Sequence, residues 1–159
     1  NILALFGIEG PSWLQSSKWA MPAIVLASVW KDMGYFGLML MSGLQGINQE
    51  YYDAAAIDGA GKIKQFTRIT LPLLTPTLFF VLIISLINSF QLFTQIMIMT
   101  PDGGPLGSTM VMVERIYKCG FRYYEMGTAA AYSWILFAIL LLLTMVQMKL
   151  QNKWVNYDD

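Results

Sequence analysis

The sequence predicts an all-α fold, a polytopic bundle of about three membrane-spanning helices with a further helix in a polar connector. Two observations carry that expectation. Of the 159 residues, 56% are hydrophobic and 13% are charged, against roughly 45–50% and about 25% in an average soluble domain. The shortfall in charge is the stronger signal, because a bilayer interior excludes charge. In addition, three stretches meet the length of about 20 predominantly apolar residues needed to cross a bilayer. Each is read as helix, since an isolated strand leaves its backbone unsatisfied in lipid.

The first span covers residues 20–47 and is interrupted by Lys31-Asp32. The second covers residues 72–99 and holds no charged residue, although Ser85, Asn88, Ser89, Gln91 and Gln95 are polar. The third, residues 128–148, is the cleanest, being almost entirely aliphatic over 135–144. Residues 1–19 form a loop and 149–159 a tail. Residues 48–71 are polar and helix-prone, with Glu50, Asp53, Asp58, Lys62, Lys64 and Arg68. Residues 100–127 open on the turn chemistry of Pro101-Asp102-Gly103-Gly104-Pro105 and continue into a short interfacial helix over 110–117. Trp13, Trp19, Trp154 and Tyr157 fall near span ends, where amphipathic rings favour the headgroup region.

Composition removes several classes of function. Ten basic and ten acidic residues give a net charge of zero, so no nucleic-acid partner is expected. There is no histidine, and Cys119 is the single cysteine, which rules out an internal disulfide and a His/Cys zinc site. No cofactor is expected. A membrane-embedded hydrolase lacks its parts too: Asp32 is the one carboxylate within a span, so no aspartyl dyad is available. Cys119 reads as an inert thiol, Met33, Met39 and Met41 as packing, and Asp158-Asp159 as a solvated tail. Lysine and arginine leave the orientation open, with Lys62, Lys64, Arg68, Lys149 and Lys153 on one side and Lys18, Arg115, Lys118 and Arg122 on the other. The chain begins at Asn1 with no basic, signal-like leader. Three helices cannot enclose a translocation path, so further helices, three of them, are expected before Asn1.

The connector between the first two spans is the most informative segment. Tyr52-Asp53-Ala54-Ala55-Ala56-Ile57-Asp58-Gly59-Ala60-Gly61 leads to Phe66 and then Arg68-Ile69-Thr70-Leu71-Pro72. Ala54–Ala56 are strong helix formers that let another surface approach the backbone closely. Gly59 and Gly61 allow a change of direction that a Cβ resists, and Pro72 suits a first helical turn. On these grounds alone, an amphipathic connector lying on the membrane surface fits equally well.

The spacing resembles the signature of ABC-importer permeases: an acidic residue, Ala-Ala, three residues, Gly, nine residues, Ile, one residue, Leu-Pro. Asp53, Ala54, Ala55, Gly59, Ile69, Leu71 and Pro72 occupy those positions with every gap intact. Asp53 stands where the family usually has Glu, which keeps the charge and shortens the reach. Gly10-Pro11-Ser12-Trp13-Leu14, Trp30 with Gly34, Gly43-Leu44-Gln45-Gly46-Ile47, Thr100-Pro101-Asp102-Gly103-Gly104-Pro105 and Gly127-Thr128-Ala129-Ala130-Ala131 are similar to the carbohydrate-importer branch, that of maltose-type and glycerol-phosphate-type permeases.

The resemblance implies a non-catalytic transport subunit in the cytoplasmic membrane of a bacterium or archaeon, importing a sugar or related polyol. It implies that Asp53, Ala54, Ala55, Ala56, Asp58 and Gly59, with Ile69, Leu71 and Pro72, form a cytoplasmic coupling helix docked on an ABC ATPase subunit. Asp53 would pair with a basic group or helix end, and Gly59 would be the elbow. Residues 48–71 and the tail would then face the cytoplasm, and residues 100–127 the outside. Further expected partners are a second permease subunit, an extracytoplasmic solute-binding protein, the sugar and the lipid bilayer.

Two polar faces are candidate substrate contacts. Ser85, Asn88, Gln91 and Gln95 fall on one face of a continuous second helix, with Ser89 at its border. Hydroxyls and amides beside Phe90 and Phe93 suit a sugar; interhelical hydrogen bonding is the other reading. In the first span, Ser28, Asp32 and Tyr35 share a face. Lys31 and Asp32 would each cost about 2.5–3.5 kcal/mol if exposed to lipid, so they face protein, a wet cavity or the interface. A small adaptor protein of three helices fits the hydropathy as well as the permease does, and leaves the spacing from Asp53 to Pro72 unexplained.

Overall fold

The computed structural model describes residues 12–154, and every regular element among them is helical. Helix α1 (Ala20–Gln45) has 26 residues, about 39 Å at 1.5 Å per residue, longer than the ~30 Å hydrocarbon core of a bilayer. Pro22 sits in its first turn, where a missing N–H removes no bond to a carbonyl within the helix. Ala20 and Ile24 are buried, whereas Leu26, Val29, Trp30, Met33, Leu38 and Met41 lie open. So apolar an exposed surface fits lipid or neighbouring helices and not water.

Two helices follow in the connector, α2 (Gln49–Ile57) and α3 (Lys62–Leu73). Within α3 the backbone widens to a π turn over Phe66–Thr70, the Leu71 amide donating to the Phe66 carbonyl. Pro72 accounts for the defect, because it has no N–H to offer the Arg68 carbonyl. Helix α4 (Thr75–Phe90) continues from α3 through a bend of 61°. The bend is a proline kink. Pro76 cannot donate to the Pro72 carbonyl, and the Thr75 hydroxyl does so in its place at 2.7 Å. Backbone bonds from Leu74 to Thr70 and from Leu78 to Leu74, both 2.9 Å, hold the chain together across the bend.

The second span therefore differs from the continuous helix expected over residues 72–99. Pro72 lies inside helical backbone that began at Lys62, and α4 ends at Phe90. After a break at residues 91–93 comes the short helix α5 (Thr94–Met99). The break follows Asn88 and Ser89, residue types that are neutral to unfavourable inside a helix. Helix α6 (Met112–Tyr117) falls within the interfacial helix expected over 110–117 and runs into a second π turn, Lys118–Arg122. The last helix, α7 (Met126–Trp154), is longer than the span of 128–148 expected for it. It carries apolar side chains on all sides, with Trp134, Ile135, Phe137, Leu141, Leu142, Met145 and Val146 exposed. Among the described residues, α1 and Met126–Gln151 are long and apolar enough to cross a membrane, and the bent α3–α4 pair makes a third if it is one span. Most of the first expected loop, residues 1–11, and the end of the tail, residues 155–159, lie outside the described residues.

The described chain divides into two compact units. One holds residues up to Lys31 and Ser89–Ile139; the other holds Asp32–Asn88 and residues from Leu140 onward. In the second unit, α1 meets α4 at Gly43. A Cβ there would lie 2.5 Å from Thr77 Oγ1 and 2.9 Å from Leu74 Cδ1, so the two helices touch backbone to side chain. In the first unit the loop after α5 is closed by a hydrogen bond of 2.8 Å between the buried hydroxyls of Thr109 and Thr100, and by a 2.9 Å bond from the Thr109 amide to the Gly103 carbonyl. Gly104, at φ +66, has no room for a side chain: a Cβ would lie 2.7 Å from Thr109 Oγ1.

Candidate functional site

The connector is a preformed helical hairpin. Asn48 caps α2, its side-chain oxygen accepting from the Glu50 amide at 3.1 Å, which satisfies one of the free N–H groups at the helix start. At the other end the Gly59 amide donates to the Ala56 carbonyl (3.1 Å) and the Ala60 amide to the Ala55 carbonyl (2.9 Å). Those two bonds define a Schellman stop. It requires a left-handed residue, and Gly59 supplies it at φ +71. Gly61 then caps α3 with extended backbone. The direction change expected of Gly59 thus has a definite geometry.

The two faces of α2 differ. Tyr52 and Ala55 are half-buried, and the Tyr52 hydroxyl lies 2.9 Å from the Thr70 hydroxyl on α3. Thr70 is itself buried, so this bond braces α2 against the root of the next helix. Asp53, Ala54, Ala56, Ile57 and Asp58 are exposed, with Ile57 at 87%. The Gln49 side-chain amide donates to the Asp53 carboxylate at 3.3 Å, presenting it at the surface. The Asp58 amide closes the helix on the Ala54 carbonyl at 3.1 Å. Ile69 is half-buried in the π turn of α3, and Leu71 and Pro72 follow it. The nine residues singled out in the sequence therefore lie on one hairpin. The contact between Tyr52 and Thr70 is one that sequence reasoning missed; the spacing names both positions but carries no sign that they touch.

The polar residues of the spans lie on α1, on α4, in the break after it and on α5. On α1, Ser28, Asp32 and Tyr35 keep the shared face expected of a continuous helix; the Ser28 hydroxyl bonds the Ile24 carbonyl at 2.8 Å, and Tyr35 is exposed, edge-on to Phe36 at 5.5 Å. On α4, Ser85 and Asn88 lie one turn apart, and the Ser85 hydroxyl donates to the Leu82 carbonyl at 3.0 Å. Gln91 and Gln95 do not extend that face. Gln91 falls in the break after α4 and Gln95 on α5, because the helix ends at Phe90. Ser89 instead lines a hollow of about 450 Å³ with Phe90, Val111, Met112, Leu136 and Ile139.

A third cluster lies in residues 100–122. Glu114 is fully buried and forms an ion pair of 2.9 Å with Lys118, whose side chain is 8% exposed. Lys118 also approaches Asp102 at 3.7 Å, and Arg122 hydrogen-bonds to Asp102. The Arg122 guanidinium holds the Asp102 carboxyl below the usual carboxylate range, and the carboxylate raises Arg122 in return.

Comparison with known proteins fixes the family. The model for "binding-protein-dependent transport system inner membrane component" matches residues 1–157. The chain belongs to this family. Among curated relatives, it is 36% identical over 148 residues to the probable ABC transporter permease protein YesP of Bacillus subtilis, covering 92% of this chain and 48% of that protein. It is 36% identical over 159 residues to the sn-glycerol-3-phosphate transport system permease protein UgpA of Pectobacterium atrosepticum, covering 99% and 54%. To the sulfoquinovosyl glycerol transport system permease protein SmoG of Agrobacterium fabrum it is 37% identical over 150 residues, covering 94% and 48%. The chain spans about half the length of these relatives. A solved bacterial ABC transporter involved in the import of the acidic polysaccharide alginate shares the fold at a TM-score of 0.85 and 24% identity, over 96% of this chain and 54% of the other. The all-α membrane architecture and membership of a family of transport-system membrane components are thereby settled.

Proposed function

We propose that this chain is the membrane-spanning core of a permease in an ATP-driven importer of a sugar or related polyol, with α2 and Gly59 as its coupling element. The observation that carries the reading is the connector hairpin. It is capped at Asn48, stopped at Gly59 and braced by Tyr52 on Thr70, so it moves as a stiff body, and it still offers Asp53, Ala54, Ala56 and Ile57 outward. A folded element with an exposed apolar side chain such as Ile57 suits a protein partner.

In this reading the partner is an ABC ATPase subunit, which performs the hydrolysis, and residues 48–71 and 149–159 face the cytoplasm in a multi-pass topology. Residues 100–127 face outward, toward an extracytoplasmic solute-binding protein. A second permease subunit completes the path through the lipid bilayer. Support comes from the permease names of the curated relatives and from the solved alginate transporter, which was also crystallised with a substrate-bound periplasmic protein. Substrate would meet Tyr35 and Asp32 on α1, Ser85 and Asn88 on α4, and Ser89 and Gln91 at its end. Alternating access follows when closure of the ATPase pair swings the hairpin and, with it, the helices joined at Gly43.

Charge reversal tests this. In the full-length permease co-expressed with its ATPase, Asp53→Lys is expected to weaken co-purification of the ATPase about tenfold or more, while circular dichroism keeps the wild-type helix content. Unchanged association would overturn the assignment of α2 as the coupling element.

A further inference from the structure

Lys118 and Arg122 converge on one acceptor atom. Lys118 Nζ is 3.7 Å from Asp102 Oδ1, and the Arg122 guanidinium hydrogen-bonds to the same oxygen. The π turn makes the convergence possible: the Tyr123 amide donates to the Lys118 carbonyl at 2.9 Å, widening the turn that carries both cations. Asp102 comes to them from a loop that is itself fixed. Its backbone is left-handed, at φ +64, between Pro101 and Gly103, and the loop is closed by the Thr109–Thr100 and Thr109–Gly103 bonds.

The charges in this cluster are not equivalent. Glu114, buried 2.9 Å from Lys118, already balances the lysine. Asp102 balances the other cation, Arg122, and lies 3.7 Å from Lys118, so it is the anion seated between the two. Asp102 and Arg122 are 63% and 56% exposed, and an ion pair so placed is weak and screened by salt. Arg122 offers a planar fork of donors, of which the carboxylate oxygen of Asp102 uses only part. The arrangement has the form of an anion receptor with a carboxylate of its own chain seated in it.

We propose that Lys118 and Arg122 form an anion-binding site in which Asp102 is an internal stand-in, displaced by the phosphate, sulfonate or carboxylate of an acidic sugar or polyol. The identity of the molecule that bears the anion rests on the transport reading above; the anion site itself does not.

The test uses sulfate as the probe, on the purified full-length permease in zwitterionic detergent, at ionic strength held constant with chloride. Asp102→Asn removes the competing charge and keeps a side chain tolerant of left-handed backbone. Sulfate affinity by titration calorimetry is expected to rise about threefold, the scale of an exposed ion pair. Adding Arg122→Gln to that variant is expected to remove the binding. Equal sulfate affinity in wild type and Asp102→Asn would overturn the proposal, as would sulfate binding that survives Arg122→Gln. A repeat in nanodiscs separates the sources of the anion. Binding that persists in phosphatidylglycerol as in phosphatidylcholine supports a soluble acidic ligand; binding lost only in phosphatidylglycerol assigns the site to a lipid headgroup and overturns the sugar. Failure of the sulfate arm with ATPase association intact counts against the anion site alone.

Discussion

Lys118→Met is expected to destabilise the unit built around residues 89–139 by about 3–5 kcal/mol, because it strands the Glu114 carboxylate without its cation. Glu114 has no solvent exposure, and Lys118 lies 2.9 Å away. A buried ion pair adds little net stability over an apolar pair of the same volume, yet losing one member leaves the other charge desolvated and uncompensated. The double variant Glu114→Leu/Lys118→Met is therefore expected to recover most of the loss. Thermal unfolding of the full-length protein in detergent measures both. Arg122→Gln, at the exposed end of the same cluster, is expected to stay near wild type. Equal losses in Lys118→Met and the double variant would contradict this account.

The second large effect is steric. Gly43→Ala places a Cβ 2.5 Å from Thr77 Oγ1 and 2.9 Å from Leu74 Cδ1 and Thr77 Cβ, closer than any real contact, so α1 and α4 must separate. Overpacking of this kind costs about 1–3 kcal/mol. The displacement falls at the root of the hairpin, so substrate-stimulated ATPase activity is expected to drop more than the stability loss alone would produce. Thr77→Ala in the same chain removes the 2.5 Å contact and leaves the Cβ contact, so it is expected to restore activity in part. Wild-type activity in Gly43→Ala would show that the close crossing has no part in coupling.

The sequence carried the spans and the connector because apolar runs, alanines and glycines at fixed gaps are local signals. Gly59 could be read as a turn from its residue type, and its Schellman bonds follow from Ala55 and Ala56 preceding it. The bend at Leu74 was harder to see. Two prolines four residues apart signal a broken helix, but the Thr75 hydroxyl that bridges the gap is invisible until the backbone is placed. The break at residues 91–93 escaped for another reason: nothing there is a strong helix breaker, and a continuous helix put Gln91 and Gln95 on the Ser85 face. Long-range partners were illegible in principle. Tyr52 and Thr70 are 18 positions apart, and Gly43 meets Thr77 from a different helix. Glu114 and Lys118 stand at a spacing common on solvated helices, and only burial distinguishes them.

In the proposed mechanism the face of α2 bearing Ile57 docks on an ATPase in the cytoplasm. In a full-length permease freed of its native thiols, Cys119 among them, Ile57→Cys can be probed in intact cells. A heterobifunctional maleimide–benzophenone reagent, attached at the cysteine and then irradiated, is expected to crosslink it to the ATPase subunit, and a membrane-impermeant maleimide applied from outside is expected to leave it unlabelled. Labelling from outside, without any crosslink to the ATPase, would contradict this mechanism.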